Sequence, residues 1–188
     1  MAGIQITEVI YPKDRSEWRK WLQDHFETSK EVWVAISKKY KSMDYNDMVE
    51  EALCFNWIDS TLKTLDENYT AQRMSPRRSK AGFSQLNIER IQLILSQGLA
   101  HPKFAGALEE VANTPFTYAA DILKSIQNNP TAWKNFRSFP EPYKRMKVAS
   151  IEAARKDIAL FEKRLNTFIL QCEQNKQVAG IAGMDKYY

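Results

Sequence analysis

Residues 52–87 read ALCFNWIDSTLKTLDENYTAQRMSPRRSKAGFSQLN. Two runs of strand-forming residues, 58–65 and 69–74, flank the polar triplet Asp66-Glu67-Asn68. That pattern predicts a β-hairpin closed by a three-residue turn. Pro76 cannot donate to a strand ladder and ends the second arm. The stretch also concentrates groups able to bind something: Trp57, Asp59, Asp66, Tyr69, Arg73, Arg77, Arg78, Ser84 and Asn87.

Upstream, residues 4–9 alternate weakly and predict an edge strand. Asp14, with Glu17 three positions on, forms a capping box that opens a helix. Trp18, Trp21, Leu22 and His25 fall on one face of it. Residues 31–39 predict a second strand, apolar on both faces and therefore central. Asp44 then caps a helix that turns Tyr45, Met48, Val49, Ala52 and Leu53 inward.

Downstream the pattern is helical. Ser84 caps a helix carrying Ile88, Ile91, Ile94 and Leu95, and Gly98 stops it. A second helix runs from Pro102 to about Asn113. A third starts at Thr114-Pro115 and is broken by Asn128-Asn129-Pro130. Trp133, Phe136 and Phe139 mark a short aromatic helix. A single long helix is predicted over 142–173, where Ile151, Ala154, Ile158, Phe161, Leu165, Phe168 and Cys172 recur at steps of three and four. The last stretch, QVAGIAGMDKYY, reads as a loose tail.

The fold class expected is α+β: a small, mainly antiparallel sheet with helices, followed by an all-helical C-terminal half. The domains expected are 1–113, a helical module over 114–176 and a flexible tail over 177–188.

The 188 residues are 44% apolar, enough for a core, and carry a formal net charge of +4. That charge is mild and spread along the chain, so an anionic partner fits it, whereas nucleic acid is not expected. No apolar stretch is long enough to span a bilayer, and no signal peptide is read, so a cytoplasmic protein is expected. The two cysteines, Cys54 and Cys172, sit far apart among apolar neighbours and read as buried thiols. No metal site and no cofactor are expected; six glycines form no phosphate-cradling loop.

Pairing the hairpin about its turn sets Thr61 opposite Arg73, Asp59 near Ser75 and Trp57 towards Arg77. Strand side chains alternate, so Trp57, Asp59, Thr61, Arg73 and Arg77 are expected to share a face. Guanidinium forks bind carboxylates and phosphates through paired hydrogen bonds, and an indole adds stacking. Arg78, Ser84 and the amides that open the following helix complete an anion pocket, with Asn87 in the same set. The ligand-binding residues expected are thus Trp57, Asp59, Arg73, Arg77, Arg78, Ser84 and Asn87. Two alternatives stay open: the arginines form a ligand site, or Asp59 pairs with them and pins the hairpin, with Trp57 in the core.

A binding role is expected ahead of a catalytic one, and catalysis is left open. His25 and His101 are the only histidines and read as surface or helix C-terminal residues. No nucleophile elbow or nucleotide loop occurs, which leaves Asp59 as the one conceivable acid or base. The basic run Lys144, Arg145, Lys147 reads as solvated or as a weak site for an acidic partner. The heptad-like stripe offers a further function, a protein partner or a homodimer held through the C-terminal helix.

The segments ALCFNWID and LDENYTAQRMSPR, Ser84 with Asn87, and the stretch from Trp133 through Phe139-Pro140, Tyr143 and Ala153-Ala154-Arg155-Lys156 to Arg164 resemble the YdeI/OmpD-associated, or bacteriocin-protection, family. The resemblance spans about Trp18 to Lys176. It departs from the family pattern at Asn56, where a glycine is usual, and at Phe83, where a tryptophan is common. It implies a bacterial role in stress and envelope protection against bacteriocins or cationic peptides, with no catalytic mechanism attached.

Overall fold

The VWVAI run is apolar on both faces, and its strand β2 (Val32–Ser37) lies inside a sheet with Val32, Trp33, Val34 and Ala35 all buried. The structure, a computed structural model, describes residues 5–40, 43–78, 82–178 and 183–188. Four strands are ordered β1-β2-β4-β3, where β1 is Val9–Ile10, β3 is Trp57–Thr64 and β4 is Tyr69–Pro76. β1 runs parallel to β2, and the other pairings are antiparallel, so the sheet is mixed. The fold class is α+β.

The chain divides into two compact units. The first holds Met1–Gly82 with Ile94–Glu110, and the second holds Phe83–Leu93 with Val111–Tyr188.

In the first unit, α1 (Arg15–His25) begins at Asp14, whose carboxylate accepts from the Ser16 and Glu17 amides. Glu17 reaches back to the Lys13 amide, one residue before the cap. Trp18 and Leu22 are fully buried, and the Trp18 indole donates to the Met48 carbonyl of α2 (Tyr45–Cys54). Asp44 occupies the N-cap position of α2 without a side-chain cap bond.

The hairpin turn is an Asx turn: the Asp66 carboxylate accepts from the Asn68 and Tyr69 amides at 2.6 and 2.8 Å. Asn56, between α2 and β3, has φ +57°, a left-handed conformation that glycine adopts freely and asparagine tolerates. The asparagine therefore stands at a backbone position with a physical reason for glycine.

α3 (Gln85–Ser96) is opened by Ser84, whose hydroxyl accepts from the Asn87 amide at 3.3 Å. It ends at Gly98, φ +64°. α4 is Pro102–Ala112. The His101 ring accepts from the Lys103 amide, so of the surface and helix C-terminal roles expected for this histidine it instead caps the N-terminus of α4.

The core of the second unit gathers Ile122, Ile126, Phe136, Phe139, Tyr143, Ile151, Phe168 and Cys172. α5 (Ala120–Gln127) starts six residues after Thr114, so Thr114-Pro115 precedes irregular chain and does not open the helix. α6 is Pro130–Ser138, capped by Asn129. The long helix expected over 142–173 is two helices, α7 (Glu141–Glu152) and α8 (Ile158–Glu173). Asp157 caps α8 by accepting from the Leu160 amide, an alternative to continuing α7 that the heptad count does not register. The stripe breaks with it: Ile151, Phe168 and Cys172 pack in the core, whereas Ile158 is 72% exposed. Of the tail expected over 177–188, residues 179–182 lie outside the described residues. Met184–Tyr187 form a 3-10 helix whose Met184 and Tyr187 are buried with Met146, Leu86 and Leu93.

Candidate functional site

Near the hairpin turn the pairing follows expectation, with Thr64 opposite Thr70 and Leu62 opposite Gln72. Between Asp59 and Leu62 the register shifts by one residue. Asp59 therefore faces Met74, and Trp57 faces Pro76. A shift of one position moves side chains to the other face. Asp59 and Trp57 share the side of Met74 and Val32, and Arg73 lies on the opposite side with Trp33. The expected convergence of Trp57, Asp59 and Arg73 on one face does not form.

Each residue has a local partner instead. Trp57 is buried, and its indole N–H donates to the Phe26 carbonyl at 3.2 Å. Asp59 accepts from the Tyr45 hydroxyl at 2.6 Å. Arg73 grips Glu31 through Nε at 2.9 Å and through Nη2, and reaches Ser60 Oγ through Nη1 at 3.4 Å. The hydrogen bond from Arg73 holds the Glu31 carboxyl below its usual range. The Arg77 amide extends the ladder to the Asn56 carbonyl, and its guanidinium donates to the Gly82 carbonyl. Burial lowers the Arg77 pKa. Arg78 is exposed. Ser84 and Asn87 fall in the second compact unit, where Asn87 Oδ1 accepts from Arg90 at 2.8 Å.

The same unit as the hairpin contains a charge cluster that the sequence reading passed over. Glu50 and Glu51 of α2 are almost fully buried. Arg15 donates to Glu51, Glu50 and Asp47 at 2.5, 3.0 and 3.1 Å, and Arg19 donates to Glu51 at 2.6 Å and to the Leu99 carbonyl. Buried acids satisfied in this way hold α1 on α2.

The second unit holds cations of another kind. The turn at residues 153–157 folds α8 back along α7, and the Arg164 guanidinium donates to the Ser150 carbonyl at 2.6 Å. A hollow of about 330 Å³ opens between the helices, with Lys147, Lys163 and Arg164 on its wall and Ile151 and Phe168 on its floor. A second hollow of about 470 Å³ shares Lys147, Ser150 and Arg164 and reaches Ser84, Gln85 and Met184. Among the described residues, Lys147, Lys163 and Arg164 make no ion pair. Burial lowers the Lys147 pKa, so its charge lacks compensation, although its ammonium also sits 5.3 Å from the Tyr143 ring centroid. The other members of the basic run are engaged: Lys144 pairs with Glu141 at 2.5 Å, and Arg145 grips the buried Glu89 at 2.7 and 2.8 Å. An anion placed between Lys147 and Arg164 would find charge, the hydroxyls of Ser150 and Thr167, and an apolar floor.

Residues 10–107 match the family described as a domain of unknown function, DUF8412. The chain belongs to that family. Residues 115–175 match the family described as bacteriocin-protection, YdeI or OmpD-associated. The resemblance read from the sequence is thus borne out in the C-terminal part of the chain. The WID and PR motifs of the hairpin lie inside the DUF8412 match and outside the other. No curated protein and no solved structure matches the chain.

The DUF8412 part supplies the arginine-rich hairpin, and the bacteriocin-protection part supplies most of the basic groove. Of the seven site residues expected from the sequence, Ser84 alone lines the groove. The sequence places Lys147 in a basic run open to an acidic partner but does not join it to Arg164, because on one continuous helix the two would stand roughly 25 Å apart. The signal that separates them was present: Asp157 directly precedes the Ile158-Ala159-Leu160 run, the signature of a helix start. Among the described residues, no helix is long and apolar enough to cross a membrane.

Proposed function

We propose that this protein is a binding module for an anionic ligand, seated in the groove between α7 and α8, and that it serves in the cytoplasm in protection against a bacteriocin or a related stress on the envelope. One observation carries the binding reading: three cations line one groove and have no carboxylate partner among the described residues. Holding like charges together is unfavourable, and an arriving anion relieves it. The protective role rests on the description of the family that residues 115–175 match. Among the described residues that line the groove there is no histidine, which supports binding ahead of chemistry as the reading.

Inorganic phosphate titrated into the labelled full-length chain, followed by amide NMR shifts, tests this. Shifts clustered at Lys147, Ser150, Arg164 and Thr167 are expected. Shifts clustered at Arg73 and Arg77, or none at all, would overturn the assignment.

A further inference from the structure

The groove is more than a cationic notch, and its apolar parts point to the class of ligand. The two hollows share Lys147, Ser150 and Arg164, so the charge sits at a waist between them. One arm is floored by Ile151, Leu160 and Phe168. The other is lined by Leu86, Met146 and Met184. A small inorganic anion would use the waist and leave both arms to water. Leu160 of this arm is 37% exposed, apolar surface that a hydrocarbon would cover. At about 330 and 470 Å³, the hollows are on the scale of small-molecule sites, which run from roughly 300 to 1,000 Å³.

Resting on the anion reading above, we infer that the ligand is a single-chain amphiphile. Its phosphate or carboxylate head lies between Lys147 and Arg164, and its hydrocarbon chain lies along the arm floored by Ile151, Leu160 and Phe168. The geometry favours a dissolved amphiphile over a bilayer surface. A bilayer-docking face sets its cations around an apolar patch that enters the membrane, whereas here the cations stand between two apolar recesses. Lys163, which also lines the first hollow, adds a second charge for a dianionic head.

Calorimetric titration of the full chain with inorganic phosphate, with n-alkyl phosphates from methyl to octyl below their micelle concentrations, and with phosphatidylglycerol vesicles tests the inference. Each methylene that enters the arm is expected to tighten binding by roughly threefold to fourfold, levelling once the arm is full. Leu160→Asn is expected to flatten that climb, and the wild-type series reads the same question without any substitution. A flat series in which phosphate still binds would overturn the amphiphile and leave the anion site standing. Vesicle binding without octyl phosphate binding would overturn it in favour of a lipid headgroup. Silence from every anion would overturn both readings.

Discussion

The hairpin of the first unit and the groove of the second both bring cations together, and they differ in what faces those cations. Arg73 has Glu31, and Arg15 and Arg19 have three acids on α2. Lys147, Lys163 and Arg164 line a hollow with hydroxyls, the Ser150 carbonyl and an apolar floor, and no carboxylate is among its lining residues. A guanidinium matched by a carboxylate organises a fold, and a cation in a hollow without a carboxylate is available to an anionic ligand. Motif density in the sequence marks the first kind as readily as the second, because it counts charges without their partners.

Substitutions can break this contrast. The largest effect is expected at Trp57, which is buried and hydrogen-bonded in the first unit. Trp57→Ala should cost about 3–5 kcal/mol in chemical denaturation followed by circular dichroism. A small cost would return the indole to the list of ligand groups. Arg145→Ala should cost about 3 kcal/mol, since it leaves the Glu89 carboxylate buried without its bidentate partner.

Arg73→Met should cost about 1 kcal/mol at neutral pH, the pair with Glu31 being partly exposed. The sign of its pH dependence follows from Glu31, whose folded pKa lies below its ordinary 4.5. The contribution is complete above about pH 4.5 and is lost as pH falls through the folded value. Wild type and variant should therefore converge in stability on the acid side, which melting curves between pH 3 and 7 would check.

Lys147→Met should change stability least, or raise it by up to about 1 kcal/mol. Burial lowers the Lys147 pKa from 10.5, so the protonated amine is a cost to the fold that fades as pH rises towards that value. Wild-type stability should gain on approaching pH 10 from below, and the methionine variant should lack that gain. A marked loss of stability in the variant would show Lys147 to be structural, like Arg145.

Much of the fold was legible in the sequence. The apolar run at 32–36 gave the interior strand, Asp66 and Asn68 gave the turn, and Ser84 and Gly98 gave the ends of α3. Local chemistry decides all of these. Two features were not legible for the same physical reason. The register shift between Asp59 and Leu62 and the break before Asp157 each displace a regular repeat at one point, and a periodicity summed over a longer window averages such a point away. The first dispersed the expected Trp57, Asp59 and Arg73 cluster; the second created the groove. Asn56 departs from the glycine that the resemblance implies there, and its φ of +57° explains why a glycine suits that position.

The most direct test of the central contrast is a calorimetric titration of phenyl phosphate into three proteins: wild type, the double variant Lys147→Gln/Arg164→Gln, and the double variant Arg73→Gln/Arg77→Gln. Binding lost in the groove variant and kept in the hairpin variant is the result predicted. Binding kept in the groove variant and lost in the hairpin variant would contradict it, and would place the anion with the arginines of the first unit.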